Sequence, residues 1–172
     1  MGLFIPDSYQ KDIYSIDYDK LKNKGIKCLI FDLDNTLGLI SNMECPRETI
    51  ILIEKLKKDF HICICSNNTK KRLQPYLDNL NIEGVSWSIK PLSIGLKKIK
   101  KQTNFKKNEM CIIGDQILTD ILAGKNYGIK TILTDPLGEK DLKITSFNRF
   151  IEKIIVKYYA KRGLFERGRY YE

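Results

Sequence analysis

The amino-acid sequence predicts an α/β fold, a mainly parallel β-sheet flanked by helices. Two observations predict it. From Lys27 onward, short apolar runs of strand length alternate with segments of helical period. Polar residues of chemical interest also stand just past the end of each run, at the edge where open α/β sheets bind ligands.

Taken in order, strands are expected at 27–32, 61–66, 84–87, 110–114 and 130–133. Between the first two, Pro46 marks the first turn of a helix whose apolar stripe is Ile50, Ile53, Leu56 and Phe60. A second helix is expected over 69–80, where Pro75 should kink or shorten it. Segments 91–101 and 117–127 supply the third and fourth. Near the end of the chain, Phe147, Phe150, Ile151, Ile154, Ile155 and Tyr158 recur at helical spacing, with Arg149, Lys153, Lys157 and Lys161 along the same segment. This stretch, about 146–172, reads as basic and amphipathic. Its stripe fits a terminal helix packed on the sheet, and it also fits an interfacial helix over 147–162 on an anionic membrane surface. No internal repeat or low-complexity linker divides the chain. Its 172 residues suffice for one sizeable core, so 1–172 is expected to form one domain.

With 42% hydrophobic and 30% charged residues, the chain is too apolar for disorder and too interrupted for a membrane span. No basic region followed by a long apolar stretch opens it, so a cytoplasmic location is expected, with peripheral contact at the inner face of the membrane if the last helix meets lipid. Of the five cysteines, Cys28, Cys63, Cys65 and Cys111 fall in strand-like runs and read as buried thiols. Cys63 and Cys65 lack a second Cys or His pair, so zinc is not expected. His61, the only histidine, reads as structural. The net charge of +9 attracts anions without choosing between nucleic acid, anionic lipid and phosphorylated metabolites.

The first strand ends in Phe31-Asp32-Leu33-Asp34-Asn35-Thr36. Two carboxylates so close prefer the neutral form unless a cation holds them, which suggests a metal, although acids after a strand are also ordinary turn or cap residues. The second ends in Ser66-Asn67-Asn68, leading into a helix start that suits a phosphate oxygen or is simply capped by Ser66 or Asn68. Lys90-Pro91 follows the third strand; a lysine there is either functional or solvated. After the fourth, Gly114-Asp115-Gln116-Ile117-Leu118-Thr119-Asp120 brings two more acids, of which Asp120 alone would pass for a first-turn acid facing the helix dipole. Acids, hydroxyl, lysine and acids in that order at successive strand ends are a poor coincidence, and they converge on one site.

This set resembles the four signature motifs of the haloacid dehalogenase (HAD) superfamily of phosphatases, which implies a Rossmann-like HAD fold. D-x-D-x-T is matched by Asp32, Asp34 and Thr36, the second motif by Ser66, the third by Lys90, and the fourth by Asp115 and Asp120. A closer resemblance, to the bacterial YqeG family of subclass IIIA, covers nearly the whole chain. It rests on Phe4-Ile5-Pro6-Asp7, Gly25-Ile26-Lys27, Ser66-Asn67-Asn68, Lys90-Pro91, Gly114-Asp115-Gln116 with Thr119-Asp120, Phe147-Asn148-Arg149 and Lys161-Arg162-Gly163. That family is similar to the mitochondrial phosphatidylglycerophosphatase, which implies an anionic phospholipid, phosphatidylglycerol phosphate, as substrate. Ser88-Ile89 departs from the more basic stretch expected before Lys90.

The resemblance implies a Mg²⁺-dependent phosphomonoester hydrolase with Asp32 as nucleophile and Asp34 as general acid and base. Ser66, the Asn67 backbone N–H and Lys90 are implied to bind the phosphoryl group. Asp32, the Asp34 backbone carbonyl and Asp115 are implied to hold Mg²⁺. Thr36 then orients the loop, and Asp120 holds a metal-bound water or Lys90. The stretches 37–56 and 67–89 are too short for a cap domain, so the site is expected to be open to bulky, surface-bound substrates as well as small ones. Two alternatives remain: a HAD phosphatase acting on a soluble sugar phosphate, nucleotide or nucleic-acid end, and a non-catalytic binding protein with a HAD fold. The aromatics of the tail form no recognisable nucleic-acid module, so that partner is not expected. The joint presence of Asp32, Asp34, Lys90 and Asp115 argues against a pure binder.

Overall fold

The computed structural model describes residues 2–138 and 143–172, with side chains from Phe147 onward in the second stretch. Its first half contains β1 (Ser8–Gln10), α1 (Tyr18–Asn23), β2 (Cys28–Phe31), α2 (Arg47–Leu56), β3 (His61–Cys65) and α3 (Lys70–Leu80). The second half contains β4 (Glu83–Val85), α4 (Ile94–Thr103), β5 (Met110–Gly114), α5 (Leu122–Tyr127), β6 (Lys130–Thr134) and α6 (Lys143–Ala160). The strands form one sheet in the order β1-β6-β5-β2-β3-β4, and every pair of neighbours is parallel.

The sheet is buried on both faces, which is why its central strands read as unbroken apolar runs. Alternate residues serve opposite layers. Leu29, Phe31, Ile62, Ile64, Cys111 and Ile113 pack with Leu21, Ile53, Leu56, Leu73 and Leu80 from α1, α2 and α3. Cys28, Ile30, Cys63, Cys65, Met110 and Ile112 face the other way, onto Leu96 and Ile99 of α4 and Ala123 and Tyr127 of α5. All five cysteines are buried free thiols. His61 lies at the amino end of β3 beside the Phe105 ring, at the opposite end of that strand from Ser66.

Several boundaries differ from the sequence expectation. β1 was not expected; it is a three-residue edge strand that pairs with β6 and meets Tyr171 in an isolated antiparallel bridge at Tyr9. Pro75 does not shorten its helix. α3 runs through it to Leu80, held by the buried Leu73, Tyr76 and Leu80, and Thr69 caps its start by accepting the Arg72 N–H. α4 begins at Ile94 rather than at 91, after an irregular loop. The segment expected as one helix over 117–127 opens with a π-helical turn at Ile117–Ile121 before α5, a geometry often found beside functional sites.

The last helix packs on the body with only part of its apolar residues. Phe147, Phe150, Ile154 and Tyr158 are exposed, Ile151 and Ile155 are half-buried, and among the described side chains of the helix Glu152 is the buried one. Val156 and Tyr159 pack on the body. Arg149, expected among the outward basic residues, instead turns inward to Asp115. Polar contacts, rather than the stripe, set the helix's orientation. Among the described residues no helix is long and apolar enough to cross a membrane.

The chain runs from β2 to β3 and β4 on one side and from β5 to β6 on the other. This reversal opens a crevice at the carboxyl ends of β2 and β5.

Candidate active site

Asp32 leaves the end of β2, Ser66 the end of β3 and Asp115 the end of β5. Lys90 arrives from the loop after β4. Its Nζ donates to Asp32 Oδ1 at 2.5 Å and to Asp120 Oδ1 at 2.6 Å, and all three side chains are buried. Asp120 Oδ2 accepts the Gln116 N–H at 3.2 Å. Gly114 makes this approach feasible, since a Cβ there would lie 2.4 Å from Asp120 Cγ. Thr36, also buried, donates to Asp115 Oδ1 at 3.5 Å.

Burial pushes the Asp32 carboxyl well above the usual range; Lys90 opposes this, while Asp120 and Asp115 reinforce it. Asp115 is pushed up to about 7, again mainly by burial and against the pull of Arg149. For Lys90, burial works against the ammonium, yet Asp120 and Asp32 outweigh it and raise the pKa. Ligand oxygens of Asp32, Asp115 and Asp120 lie within 4.8 Å of one another. Three carboxylates so close and so dry keep their charge only beside more positive charge than Lys90 and Arg149 carry. Their all-oxygen donor set suits a hard divalent cation.

Asp34 stands nearer the mouth. Arg72 donates to its Oδ1 from Nε at 2.9 Å and Nη2 at 2.8 Å, and Asn68 donates to its Oδ2 at 3.0 Å. The same guanidinium reaches the Leu39 carbonyl at 3.0 Å and the Asn42 carbonyl, and it lies over the Tyr76 ring. Ser66 is buried, and its Oγ accepts the Asn68 N–H at 3.1 Å. Asn67 braces the lysine loop with its side chain: Oδ1 accepts from Ser88 Oγ at 2.8 Å and the Lys90 N–H at 2.7 Å, and Nδ2 donates to the Lys90 carbonyl at 2.9 Å.

Arg72, Arg149 and this use of the Asn67 side chain escaped sequence reasoning. A signal for Arg72 existed. It sits one turn into the helix that follows Ser66-Asn67-Asn68, and helical side chains lean back toward the amino end, here toward the strand ends. Arg149 stood in the family-like run Phe147-Asn148-Arg149, which marked the position but not its partner; it donates to the Asp115 carbonyl at 2.7 Å and to the Asp115 carboxylate. Nearby, buried Glu152 accepts the Leu118 N–H at 3.0 Å, and burial raises its pKa.

Above these groups lies a cleft of about 680 Å³. Asp32, Asp34, Ser66, Asn67 and Lys90 line its polar side, while Ile40, Trp87, Pro91, Leu118 and Leu122 supply apolar wall. The stretches 37–56 and 67–89 hold loops with α2, α3 and β4, and no cap domain.

Comparison with known proteins gives the same class. A crystal structure of an uncharacterised protein from Listeria monocytogenes is similar over 68% of this chain and 85% of that one, with a TM-score of 0.55 and 18% identity. The deoxy-D-mannose-octulosonate 8-phosphate phosphatase of Haemophilus influenzae covers 79% and 90%, with a TM-score of 0.51 and 16% identity. At those identities the likeness shows the fold. Fold, motif order and relatives together define a phosphatase of the HAD superfamily. Within it, residues 1–138 match the family model described as mitochondrial PGP phosphatase, and the chain belongs to that family. It is 34% identical over 161 residues to the probable phosphatase YqeG of Bacillus subtilis, covering 93% of this chain and 94% of the relative. It is also 27% identical over 171 residues to the chloroplastic/mitochondrial phosphatidylglycerophosphate phosphatase 1 of Arabidopsis thaliana, covering 93% of this chain and 49% of that one. The chain thus spans about half the length of this plant relative.

Proposed function

We propose that this protein hydrolyses the phosphomonoester of phosphatidylglycerol phosphate, using Mg²⁺ and an aspartyl-phosphate at Asp32. One observation carries the reading: Asp32, paired with Lys90, lies beneath an uncapped cleft whose walls are largely apolar. Such a cleft suits a phosphate on an amphiphile.

The Asp32 carboxylate attacks phosphorus in line, forming an O–P bond as the bond to the leaving alkoxide breaks. Asp34 delivers a proton to that alkoxide and later takes one from the water that cleaves the acyl phosphate. Lys90, Ser66 and the Asn67 N–H offset charge on the transferring group. Asp120 keeps Lys90 in place, and Thr36 supports Asp115. Asp32, the Asp34 backbone carbonyl and Asp115 would hold Mg²⁺, which supplies charge neutralisation when bound.

Recruitment to the inner face of a membrane belongs to this proposal. The exposed side of α6 presents Phe147, Phe150, Ile154 and Tyr158, with Lys153, Lys157 and Lys161 also exposed. With Arg149 turned inward, these three lysines contribute about 3 kcal/mol at an anionic surface, enough for weak, salt-sensitive association.

A substrate panel tests the reading: phosphatidylglycerol phosphate in mixed micelles against soluble sugar phosphates, nucleotides and p-nitrophenyl phosphate, each with and without Mg²⁺. The lipid should be turned over fastest, only with Mg²⁺, and Asp32→Asn should lose activity on the order of 10⁴-fold or more while remaining folded. Preference for a soluble ester would sink the lipid assignment. Substantial turnover by folded Asp32→Asn would sink covalent catalysis at that residue.

A further inference from the structure

The loop that delivers Lys90 has an exposed outer side, of which Trp87 also lines the cleft while Ile89 and Leu92 do not. Its residues alternate: Ser88 and Lys90 are buried against the site, whereas Trp87, Ile89 and Leu92 are 61%, 53% and 57% exposed. Trp87 and Ile89 hold left-handed backbone, with φ of 49° and 56°. For a β-branched residue that conformation is a genuine outlier, and such strain persists only where surrounding contacts impose it. The contacts are present. Asn67 grips both Ser88 and Lys90, the Trp87 N–H donates to the Asn68 carbonyl at 3.0 Å, and the Leu92 N–H donates to the Ile89 carbonyl at 2.8 Å. The fastening that buries the lysine therefore holds three large apolar side chains in water beside the cleft that Trp87 and Pro91 line.

We propose that this loop is a membrane anchor at the mouth of the site, with Trp87, Ile89 and Leu92 entering the headgroup layer of an anionic bilayer. The inference rests on the phospholipid reading above and adds a docking surface distinct from α6. Fixed, exposed apolar patches mark interaction sites, and tryptophan favours the boundary between water and hydrocarbon. Charge selects the partner. Exposed Lys70 and Lys71 stand two and three residues after Asn68, whose carbonyl holds Trp87, so positive charge follows closely along the chain from the point where the patch is fastened. That combination complements an anionic lipid surface. It also explains the departure at Ser88-Ile89: one residue is buried under the loop and the other is part of the anchor.

The chain carries its own probe, because Trp87 is its only tryptophan. Full-length protein would be titrated with vesicles of phosphatidylcholine, with and without phosphatidylglycerol, while Trp emission is recorded and lipids brominated high on the acyl chain serve as quenchers. Anionic vesicles should shift the emission to the blue and brominated lipid should quench it. An Ile89→Asn, Leu92→Ser double variant should bind anionic vesicles about tenfold more weakly or worse, yet hydrolyse p-nitrophenyl phosphate at the wild-type rate. Asn tolerates left-handed backbone, so position 89 is not further strained. A chain that sediments with vesicles while Trp87 stays in water would overturn the anchor and leave the phospholipid substrate standing. A blue shift in a protein that turns over only soluble esters would uphold the anchor and remove that substrate. A shift that grows with protein concentration in the absence of lipid would show a second copy covering the patch, and the proposal would be wrong.

Discussion

Lys90 and Arg72 each carry a buried positive charge to one acid of the first motif, yet they do different work. Lys90 donates to two carboxylates, Asp32 and Asp120, and its side chain is almost fully enclosed. Arg72 divides its fork between Asp34 and the carbonyls of Leu39 and Asn42. An ammonium is a compact point charge with three donors, whereas a guanidinium is a rigid planar array of five. The lysine thus balances charge between two acids, while the arginine fixes the shape of a loop and the direction of Asp34. Residues that look equivalent in a sequence as basic groups near an acidic motif separate into an electrostatic and a geometric role.

The sharpest way to break this comparison is Lys90→Met. It leaves the buried acids without their ammonium, so activity should fall by several orders of magnitude. Unpairing a buried charge costs about 3–5 kcal/mol, which should appear in denaturant unfolding at neutral pH. A variant as stable as wild type would show that Lys90 does not balance these carboxylates.

Arg72→Lys should be milder and of another kind. The charge survives, but one ammonium cannot serve Asp34 and two carbonyls, so about 1–3 kcal/mol of stability should go with the lost hydrogen bonds. Misplacement of Asp34 should cost about 10²-fold on an alkyl phosphate and distinctly less on an aryl phosphate, whose leaving group needs little protonation. Equal losses on both substrates would reduce Arg72 to a merely structural residue.

A third ion pair, away from the site, supplies the small effect against which these are measured. Asp7 accepts from the Thr131 N–H at 2.9 Å, the Thr131 hydroxyl at 2.8 Å and Lys125 Nζ. Burial raises its pKa, but Lys125 and Thr131 outweigh that and hold it below the usual carboxylate range. A depressed carboxylate contributes stability that is present above its unfolded pKa and lost as pH falls through the folded one. Asp7→Asn should therefore cost about 1 kcal/mol at pH 7, discounted for partial exposure, and the gap from wild type should close below about pH 4. Urea unfolding across that range checks it; a gap that persists in acid would mean that the asparagine's packing, rather than the charge, is at fault.

Much of the site was legible because the sheet's topology is. Once 27–32, 61–66 and 110–114 read as parallel strands, Asp32, Ser66 and Asp115 must share one edge, and the structure brings Lys90 and Asp120 to the same place. β1 was not legible. Two of its three residues are polar, and Ser8-Tyr9-Gln10 becomes a strand because β6 offers it an edge. The continuation of α3 past Pro75 was not legible for a related reason: the local cost of proline was visible, but the burial of Leu73, Tyr76 and Leu80 that offsets it was not.

The sequence by itself determined the periodicities, and with them the α/β class, the two-faced central strands and the order of polar residues at the strand ends. These are local properties, repeated every two or 3.6 residues and readable without knowing what lies opposite. Only the tertiary structure decided where the long cations point. Arg72 meets Asp34 across 38 positions and Arg149 meets Asp115 across 34, and a flexible side chain turns toward whichever buried acid the fold sets within reach. The same holds for α6. An apolar stripe shows that two sides of a helix differ without showing which one faces the body. Here a desolvated Glu152 took the Leu118 N–H and an inward Arg149 met Asp115, leaving Phe147, Phe150, Ile154 and Tyr158 outside.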